Sequence, residues 1–406
     1  MKILMVSEDV PHLSMGGAGR HAVTLAKYLF RIGHDVDFLG NGIEPYDSSQ
    51  GDIVLPGRFF PDLTKHYRGW KEVKLGFFNP LRRPVIGWHF ARAIMRHAMH
   101  YDVVHYHGHF PLLACYIPRN INFVQTRHDQ GSDCLTHVRF RNGDVCRDIS
   151  SFTCAECISP NPKIFQTFFS TLAVLTYRKL VARAFLRHKT IFVSDMLRKN
   201  FSRAAGMRHW GDVIHNFVEF DALRSFAFNK QACTGMIEVF ISSKLYAPKG
   251  VSVFLEHIKA RNPQNMRITI AGDSLNQGEF VTRFSNERIV FLGWRPYNET
   301  MQRMSTANVI VVPSLCEESC STVILEGLSM GKQILALARG GTPELLKYER
   351  YPGQLTLFDN IEELVESLLT IDTHAATFHA TDDTFGADVS VLLDNIINIY
   401  ISDINQ

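Results

Sequence analysis

Residues 313–331 read PSLCEESCSTVILEGLSMG and follow the apolar run NVIVV (308–312). That run has the length and β-branched content of a buried strand, which ends at Val312. The loop after it carries Glu317 and Glu318, and Ser321 or Thr322 can cap the helix that comes next. Glu326 lies on this helix, eight residues beyond Glu318, and Gly331 is placed to end it. One carboxylate therefore stands in a loop and a second on the first turns of a helix. The free amides of Cys320 to Val323 face the same space and suit a phosphate. One acid can accept hydrogen bonds from sugar hydroxyls and the other from a ribose diol. Either acid alone could be a solvated side chain; together they describe a site.

Upstream, SSKLYAPKG (242–250) sets Lys244 and Lys249 five residues apart, just beyond another strand. Two cations there could neutralise a diphosphate and the charge that grows on it as it leaves. The second half repeats this pattern, with EVFISSKL (238–245), RITIAGD (267–273), RIVFLGW (288–294) and QILAL (333–337) as strands between helices. The first half does the same. KILMVS (2–7) is followed by a helix over 21–31, then DVDFLG (35–40), DVVHYHG (102–108), NFVQTRH (122–128), KTIFVS (189–194) and DVIHN (212–216). Continuous apolar strands alternating with helices indicate parallel sheets covered on both faces. Two such series imply two Rossmann-like, doubly wound α/β domains, with ligands at the carboxyl ends of the strands and a central cleft between domains facing each other. The expected boundaries are 1–218 for the first domain, 219–385 for the second, and 386–406 for a tail helix packing back on the first; the stretch 131–160 is an insertion.

Other motifs compete for attention. Gly17 to Ala22 spells G-x-G-x-x-A, with Asp37 twenty residues beyond Gly17, the outline of a dinucleotide fingerprint. The strand, however, ends near Ser7, so the loop is too long for the tight turn that an NAD-dependent oxidoreductase needs. Asp35-Val36-Asp37 lies inside a strand and is expected to be structural rather than a metal–diphosphate motif. His105, His107 and His109 alternate and would share one strand face. No acid or thiol partner for a metal is identifiable beside them, and an acceptor-side strand end is the preferred reading.

At 406 residues the chain exceeds one ordinary core, and its 46% apolar and 20% charged content is globular. The net charge of +3 does not argue for nucleic acid. From Arg58 to His100 nine Lys/Arg face two acids, interleaved with Phe59, Phe60, Trp70, Phe77, Phe78, Trp88 and Phe90. Such a surface suits an anionic membrane face; the alternative is a solvated helix with buried aromatics. MKILMVSEDV turns acidic where a signal peptide would stay apolar, and no apolar run approaches ~20 residues. A cytoplasmic chain, peripheral at the inner face of the membrane, is expected. Of eight cysteines, four cluster: Cys134, Cys146, Cys154 and Cys157, ending in CAEC. They could hold a structural zinc ion, remain free thiols, or form a stabilising disulfide.

With these residues in view, the chain resembles the family-4 retaining glycosyltransferases of the GT-B fold over nearly its full length. The E-x7-E pattern from Glu318 to Glu326 carries most of the resemblance. SKLYAPKG, ITIAGD, FLGW and GGTPELL (340–346) follow the order of the family's elements, as do GGAGRHAVTLAKYLFRIGHDV, DVVHYHG and TRHDQ in the first half. The resemblance implies that Glu326 holds the ribose of a nucleotide, with Ser321 and Thr322 beside its phosphates, and that Glu318 holds the transferred sugar. Lys244 and Lys249 would bind the diphosphate, His128 would approach the donor sugar, and Gly16 and Gly17 would bring amides to the phosphate. On this basis Glu318, His128 and Lys249 are the expected catalytic residues.

There are departures from the family pattern. Lys244 stands where arginine is usual, EESCS replaces acid-proline-phenylalanine-glycine, and HNFVEF (215–220) lacks the glycine after asparagine. The implied activity is a hexosyltransferase that moves a sugar from a UDP- or GDP-sugar to a glycan or lipid-linked acceptor, as in lipopolysaccharide and other bacterial surface polysaccharide biosynthesis. No metal is required for catalysis in such an enzyme. The alternatives are the oxidoreductase, a nucleotide-sugar epimerase or hydrolase on the same fold, and a catalytically silent sugar-binding module.

Overall fold

The computed structural model describes residues 1–402 apart from 12–14, 43–45, 47–52, 64–82, 159–163, 209, 228–234, 274–276 and 372–383. The chain divides into two units. One comprises Met1–Arg141, Cys146–Asn216 and Val389–Gln406, and the other Asn142–Val145 and Phe217–Asp388.

In the first unit, β1 (Lys2–Ser7) leads to α1 (Gly17–Arg31), β2 (Asp35–Gly40), β3 (Phe59–Phe60), α2 (Arg83–Met95), β4 (Val103–His107) and β5 (Phe123–Arg127). Then come α3 (Ser151–Ile158), α4 (Ile164–Arg187), β6 (Lys189–Phe192), α5 (Asp195–Ala205) and β7 (Asp212–Val213). Seven of its strands form one sheet in the order β3-β2-β1-β4-β5-β6-β7, every pair parallel, and the short strands Phe140–Arg141 and Asp144–Val145 form a separate two-stranded sheet. Every residue of β4 and β5 is buried, the polar His105, His107, Gln125, Thr126 and Arg127 included. Local signals agree with the tertiary ones. Ser194 caps α5 by accepting the Leu197 amide at 3.3 Å, and Gly206 ends it in the left-handed region.

The second unit holds α6 (Phe220–Ala227), β8 (Ile237–Ser242), α7 (Val251–Arg261), β9 (Met266–Ala271), α8 (Gln277–Phe284), β10 (Ile289–Gly293), α9 (Tyr297–Thr306), β11 (Val309–Val312), α10 (Thr322–Ser329), β12 (Gln333–Leu337), β13 (Leu355–Phe358) and α11 (Ile361–Leu369). Its sheet runs β10-β9-β8-β11-β12-β13, again parallel throughout. Ile237, Val239 and Ile241 of β8 pack with Phe254, Leu255 and Ile258 of α7 and with Leu364 and Leu368 of α11. β8 and β11 are neighbours at the centre of the sheet, and their carboxyl ends open onto the lysine-bearing and acid-bearing loops respectively.

The structure departs from the sequence reading in several places. The first helix begins at Gly17 rather than His21, so the glycine loop forms its opening turn. The last strand of the first sheet is two residues long rather than five. Within the two parallel sheets, β3 and β13 went unread. Both are short and half-exposed at sheet edges, so they carry little apolar signal.

The tail folds as α12 (Val389–Ile401) and belongs to the first unit. It packs against α1 and is pinned by Tyr400. The Tyr400 hydroxyl meets His105 Nδ1 at 2.7 Å, and its carbonyl accepts from Asn122 Nδ2 at 2.8 Å and Lys189 Nζ at 3.1 Å. His105 is fully buried, and its Nε2 faces Thr126 Oγ1 at 2.8 Å. Replacing Tyr400 with Phe strips one buried ring nitrogen of its partner, and the cost expected is ~1–3 kcal/mol. Denaturant unfolding of Y400F reads this directly; an unchanged midpoint would refute the pinning role.

Candidate active site

Two loops of the second unit are zipped together by their backbones. The amides of Leu315 and Cys316, just past β11, both donate to the Pro248 carbonyl, at 2.9 and 3.0 Å. Gly250 closes this contact. It has φ +68°, and a Cβ there would lie 2.0 Å from the Pro313 carbonyl oxygen. The zipper brings Lys249 onto Glu318, with Nζ 2.5 Å from Oε1. Ser314 Oγ donates to the same oxygen at 2.5 Å. A third segment clamps the acid from the far side. Gly341 N donates to the Glu318 carbonyl at 2.7 Å, and at Gly340 (φ +62°) a Cβ would sit 2.4 Å from that carbonyl oxygen. GGTPELL therefore supports the acidic loop. Neither Ser314 nor this clamp was read as part of the site from sequence, although Ser314 lies within the decisive stretch.

The pair is held ionised. Burial alone would raise the Glu318 pKa, but the Lys249 charge and the hydrogen bonds from Lys249 and Ser314 bring it below the usual carboxylate value. Burial likewise disfavours the Lys249 ammonium, and the Glu318 charge more than reverses this, so its pKa is raised. Nearby, burial and then the Glu318 charge push the Cys316 thiol up to about 12, leaving it protonated and inert.

Glu326 is 5% exposed on α10, and Ser321 is the residue before that helix. Ser321 makes no side-chain capping bond, contrary to the capping role read from sequence. The first intrahelical bond is donated by Leu325 to the Ser321 carbonyl at 3.3 Å. The amides before Leu325, including that of half-buried Thr322, thus have no partner within the helix. Lys244 is exposed, just past β8. The structure thus joins Lys249 to Glu318 directly and places Lys244, Ser321, Thr322 and Glu326 on elements that flank the pair.

In the first unit, Gly16 and Gly17 are exposed at the start of α1, with Gly16 as its N-cap. His128 follows β5, its Nε2 3.1 Å from His107 Nδ1. His21 of α1 stacks edge-on against His128, with centroids 4.8 Å apart. Burial first, then Arg127, depresses the His128 pKa to about 3; burial and the His128 charge take His105 to about 3. His21 and His107 are also held well below the ordinary value, chiefly by burial. This cluster is neutral at pH 7.

Next to it, His109 Nδ1 and His137 Nδ1 share Asp129 Oδ2 at 2.5 and 2.9 Å. His109 is the exception in charge: burial opposes protonation, but Asp9 and Asp129 raise its pKa well above normal. Two sets among the described residues bring three potential metal-ligand atoms within 4.8 Å: His21, His107 and His128, and His109, Asp129 and His137. The partners missing from the sequence reading of HYHGH are therefore supplied by α1 and by the segment after β5. Parallel register sets His107 opposite Thr126, and only that register reveals them.

Asp37 accepts from Arg58 Nε, an Arg58 terminal nitrogen and the Tyr101 hydroxyl, at 3.1, 2.8 and 2.6 Å, which is a structural role. Within the basic aromatic stretch, Trp70, Phe77 and Phe78 lie outside the described residues. Arg83 is internal: it is buried, donates to the Leu135 carbonyl and lies over the Tyr177 ring. No described helix is long and apolar enough to cross a membrane. Cys134, Cys146, Cys154 and Cys157 line one small cavity of the first unit.

A family profile described as Glycosyltransferase Family 4 matches residues 15–222, just over half of the chain. A second, described as Glycosyl transferases group 1, matches residues 237–373. An uncharacterised glycosyltransferase of Methanocaldococcus jannaschii is 23% identical over 377 residues, covering 86% of this chain and 83% of its own. Among solved structures, sucrose-phosphate synthase from Thermosynechococcus elongatus superposes with a TM-score of 0.67 at 16% identity, over 98% of both chains. HepE of Anabaena, solved in complex with UDP, gives 0.58 at 18% identity, over 100% of this chain and 96% of that one. The fold is GT-B: two Rossmann-like α/β domains with parallel sheets.

Two outcomes follow from this geometry. Gly340→Ala and Gly353→Ala both place a side chain at positive φ, at a cost of ~1–2 kcal/mol, but only Gly340 meets the Glu318 backbone. G340A is expected to lower turnover at least ~10-fold, the equivalent of a 1.4 kcal/mol loss, while G353A keeps wild-type turnover. Equal turnover in the two would remove the clamp. The neutral histidines make a pH prediction. Below about pH 6.5 the unfolded chain takes up protons that folded His105 and His128 refuse until about pH 3. Stability is therefore lost as pH falls through that window, at up to ~1.4 kcal/mol per pH unit for each such histidine. His109, whose pKa is raised, keeps its full contribution throughout that range. A thermal midpoint that stays flat between pH 6.5 and 4.5 would contradict the buried, neutral cluster.

Proposed function

The chain belongs to glycosyltransferase family 4, and from that premise we propose that it is a retaining hexosyltransferase using a nucleotide-sugar donor. The observation that carries the proposal is the Lys249–Glu318 pair, held at 2.5 Å beside the amino end of α10. An ammonium kept cationic at a strand end, next to helix amides without intrahelical partners, is the chemistry a diphosphate needs. When the diphosphate arrives, Lys249 turns from the carboxylate to the phosphate, joined by Lys244 and by the amides from Ser321 and Thr322 onward. Glu318, still ionised, is released to accept hydrogen bonds from hydroxyls of the sugar. Glu326, on the buried side of the helix, accepts from the ribose diol. His128, Gly16 and Gly17 keep the roles that the resemblance gives them; as a neutral imidazole His128 can accept or donate a hydrogen bond.

In the transfer step, the bond between the anomeric carbon and the leaving phosphate oxygen breaks. That oxygen takes the proton of the acceptor hydroxyl, and the acceptor oxygen bonds to the same face of the sugar. Lys249 neutralises the charge gained by the diphosphate, so its contribution grows toward the transition state. The UDP in the HepE complex supports a uridine donor, with GDP-sugars the alternative. The acceptor belongs to the glycan or lipid-linked class used for lipopolysaccharide and other bacterial surface polysaccharides, met at the inner membrane face. Support for this comes from exposed Trp88 with the Arg92 guanidinium 5.6 Å from its ring centroid. Family membership leaves the oxidoreductase reading without support.

Glu326→Gln is expected to weaken binding of the donor nucleotide roughly 10–100-fold, the worth of a charge-assisted hydrogen bond. Glu318→Gln should lower kcat by a comparable factor without weakening nucleotide affinity. Calorimetry against UDP, GDP and ADP species, with product release followed in parallel, separates the two. Wild-type kinetics in both variants, or no binding of any nucleotide, would refute the assignment.

A further inference from the structure

The cavity among Cys134, Cys146, Cys154 and Cys157 plays no part in sugar transfer, and the residues around it point to a ligand of another kind. Cys154 and Cys157 sit on α3 at i and i+3, on one face of the helix. Cys134 follows the short turn Gln130–Ser132, and Cys146 lies five residues before α3. All four line a cavity of about 30 Å³, room for one small ion. None is engaged in a disulfide. Burial raises the thiol pKa of Cys154 and Cys157, and Cys134 and Cys146 lie near enough to both to add to that rise.

The surroundings carry positive charge that could offset bound thiolates. Buried Arg178 donates to Cys154 Sγ at 3.3 Å and otherwise to the Asp133 and Ile149 carbonyls and Ser151 Oγ. Arg139 and Arg141 line the same cavity. The loop from Cys134 to Cys146 also passes through three non-glycine residues at positive φ, His137 (65°), Arg139 (43°) and Asn142 (54°). Such a loop persists only where strong ties hold it.

We propose that these four cysteines bind one zinc ion as a structural Cys₄ site. On binding, four thiols lose their protons to solvent and form four Zn–S bonds, giving a dianionic centre that Arg178 and its neighbours offset. Among the described residues, the sets of three potential ligands within 4.8 Å are the histidine ones, so the sulfurs stand wider than a closed shell. Rotation about one χ1 moves a sulfur by roughly 3 Å, enough to bring it to the ~2.3 Å Zn–S distance. The ion would tie the middle and carboxyl end of α3 to the loop carrying His137, which holds Asp129. The site is independent of the donor reading, because none of its ligands belongs to that chemistry.

The test is elemental analysis of full-length protein purified without chelator, followed by stripping and reconstitution with Co²⁺. The expected result is one zinc per chain and, with cobalt, thiolate charge-transfer bands and the intense d–d bands of tetrahedral coordination. After denaturation without reductant, all eight thiols should titrate. Cys154→Ser combined with Cys157→Ser should lose the metal and lower the thermal midpoint by several degrees; if that variant does not fold, the wild-type cobalt spectrum still decides. Absence of stoichiometric metal, iron with the visible absorption of a cluster, fewer than eight titrating thiols, or zinc retained in the double variant would each overturn the proposal.

Discussion

A salt bridge taken out of water destabilises a protein unless hydrogen bonds replace its hydration. The contact between Lys249 and Glu318 meets that condition through Ser314, which donates to the same carboxylate oxygen as the lysine. Deleting either partner alone would strand a charge, at roughly 3–5 kcal/mol. The surrounding architecture serves this pair. Central strands β8 and β11 run side by side and deliver its two loops, the Pro248 carbonyl ties the loops together, and Gly250 and Gly340 permit backbone approaches that no side chain would allow. A site of this kind is preorganised: the cation and the acid are fixed before any ligand arrives, and a phosphate need only displace one partner.

The first domain handles charge differently. Four histidines, His21, His105, His107 and His128, are buried together and kept neutral by desolvation, while His109 is kept cationic between Asp9 and Asp129. Neutral and charged imidazoles thus lie a few residues apart on the chain, and a carboxylate in reach is not enough by itself: burial lowers His137 to about 4 although it shares the Asp129 oxygen with His109. The C-terminal helix joins this arrangement through Tyr400, almost three hundred residues along the chain from its partner His105.

How much of this could be read beforehand depended on whether the signal was local. Buried parallel strands such as Val309–Val312 announce themselves by uninterrupted apolar and β-branched runs, so both sheets and their order of elements were legible. Spacing also placed Glu318 in a loop and Glu326 on a helix. Invisible in sequence were relations set by register and packing. Ser314 reads as any serine until β11 ends beside it, Gly340 as any turn glycine until it abuts Glu318, and HYHGH lacks partners until β4 pairs with β5. Phe59–Phe60 and Leu355–Phe358 are strands only because a neighbour pairs with them. Arg83 counted toward a basic surface and proved to be buried, because its carbonyl and aromatic partners lie some fifty and ninety residues away.

The central claim is that the Lys249–Glu318 pair opens to receive a diphosphate. A crystal structure of the protein with a bound UDP- or GDP-sugar tests it most directly. The account predicts Lys249 Nζ within hydrogen-bonding distance of a phosphate oxygen, Glu318 on sugar hydroxyls and Glu326 on the ribose. A nucleotide bound elsewhere, with Lys249 still on Glu318, would contradict it.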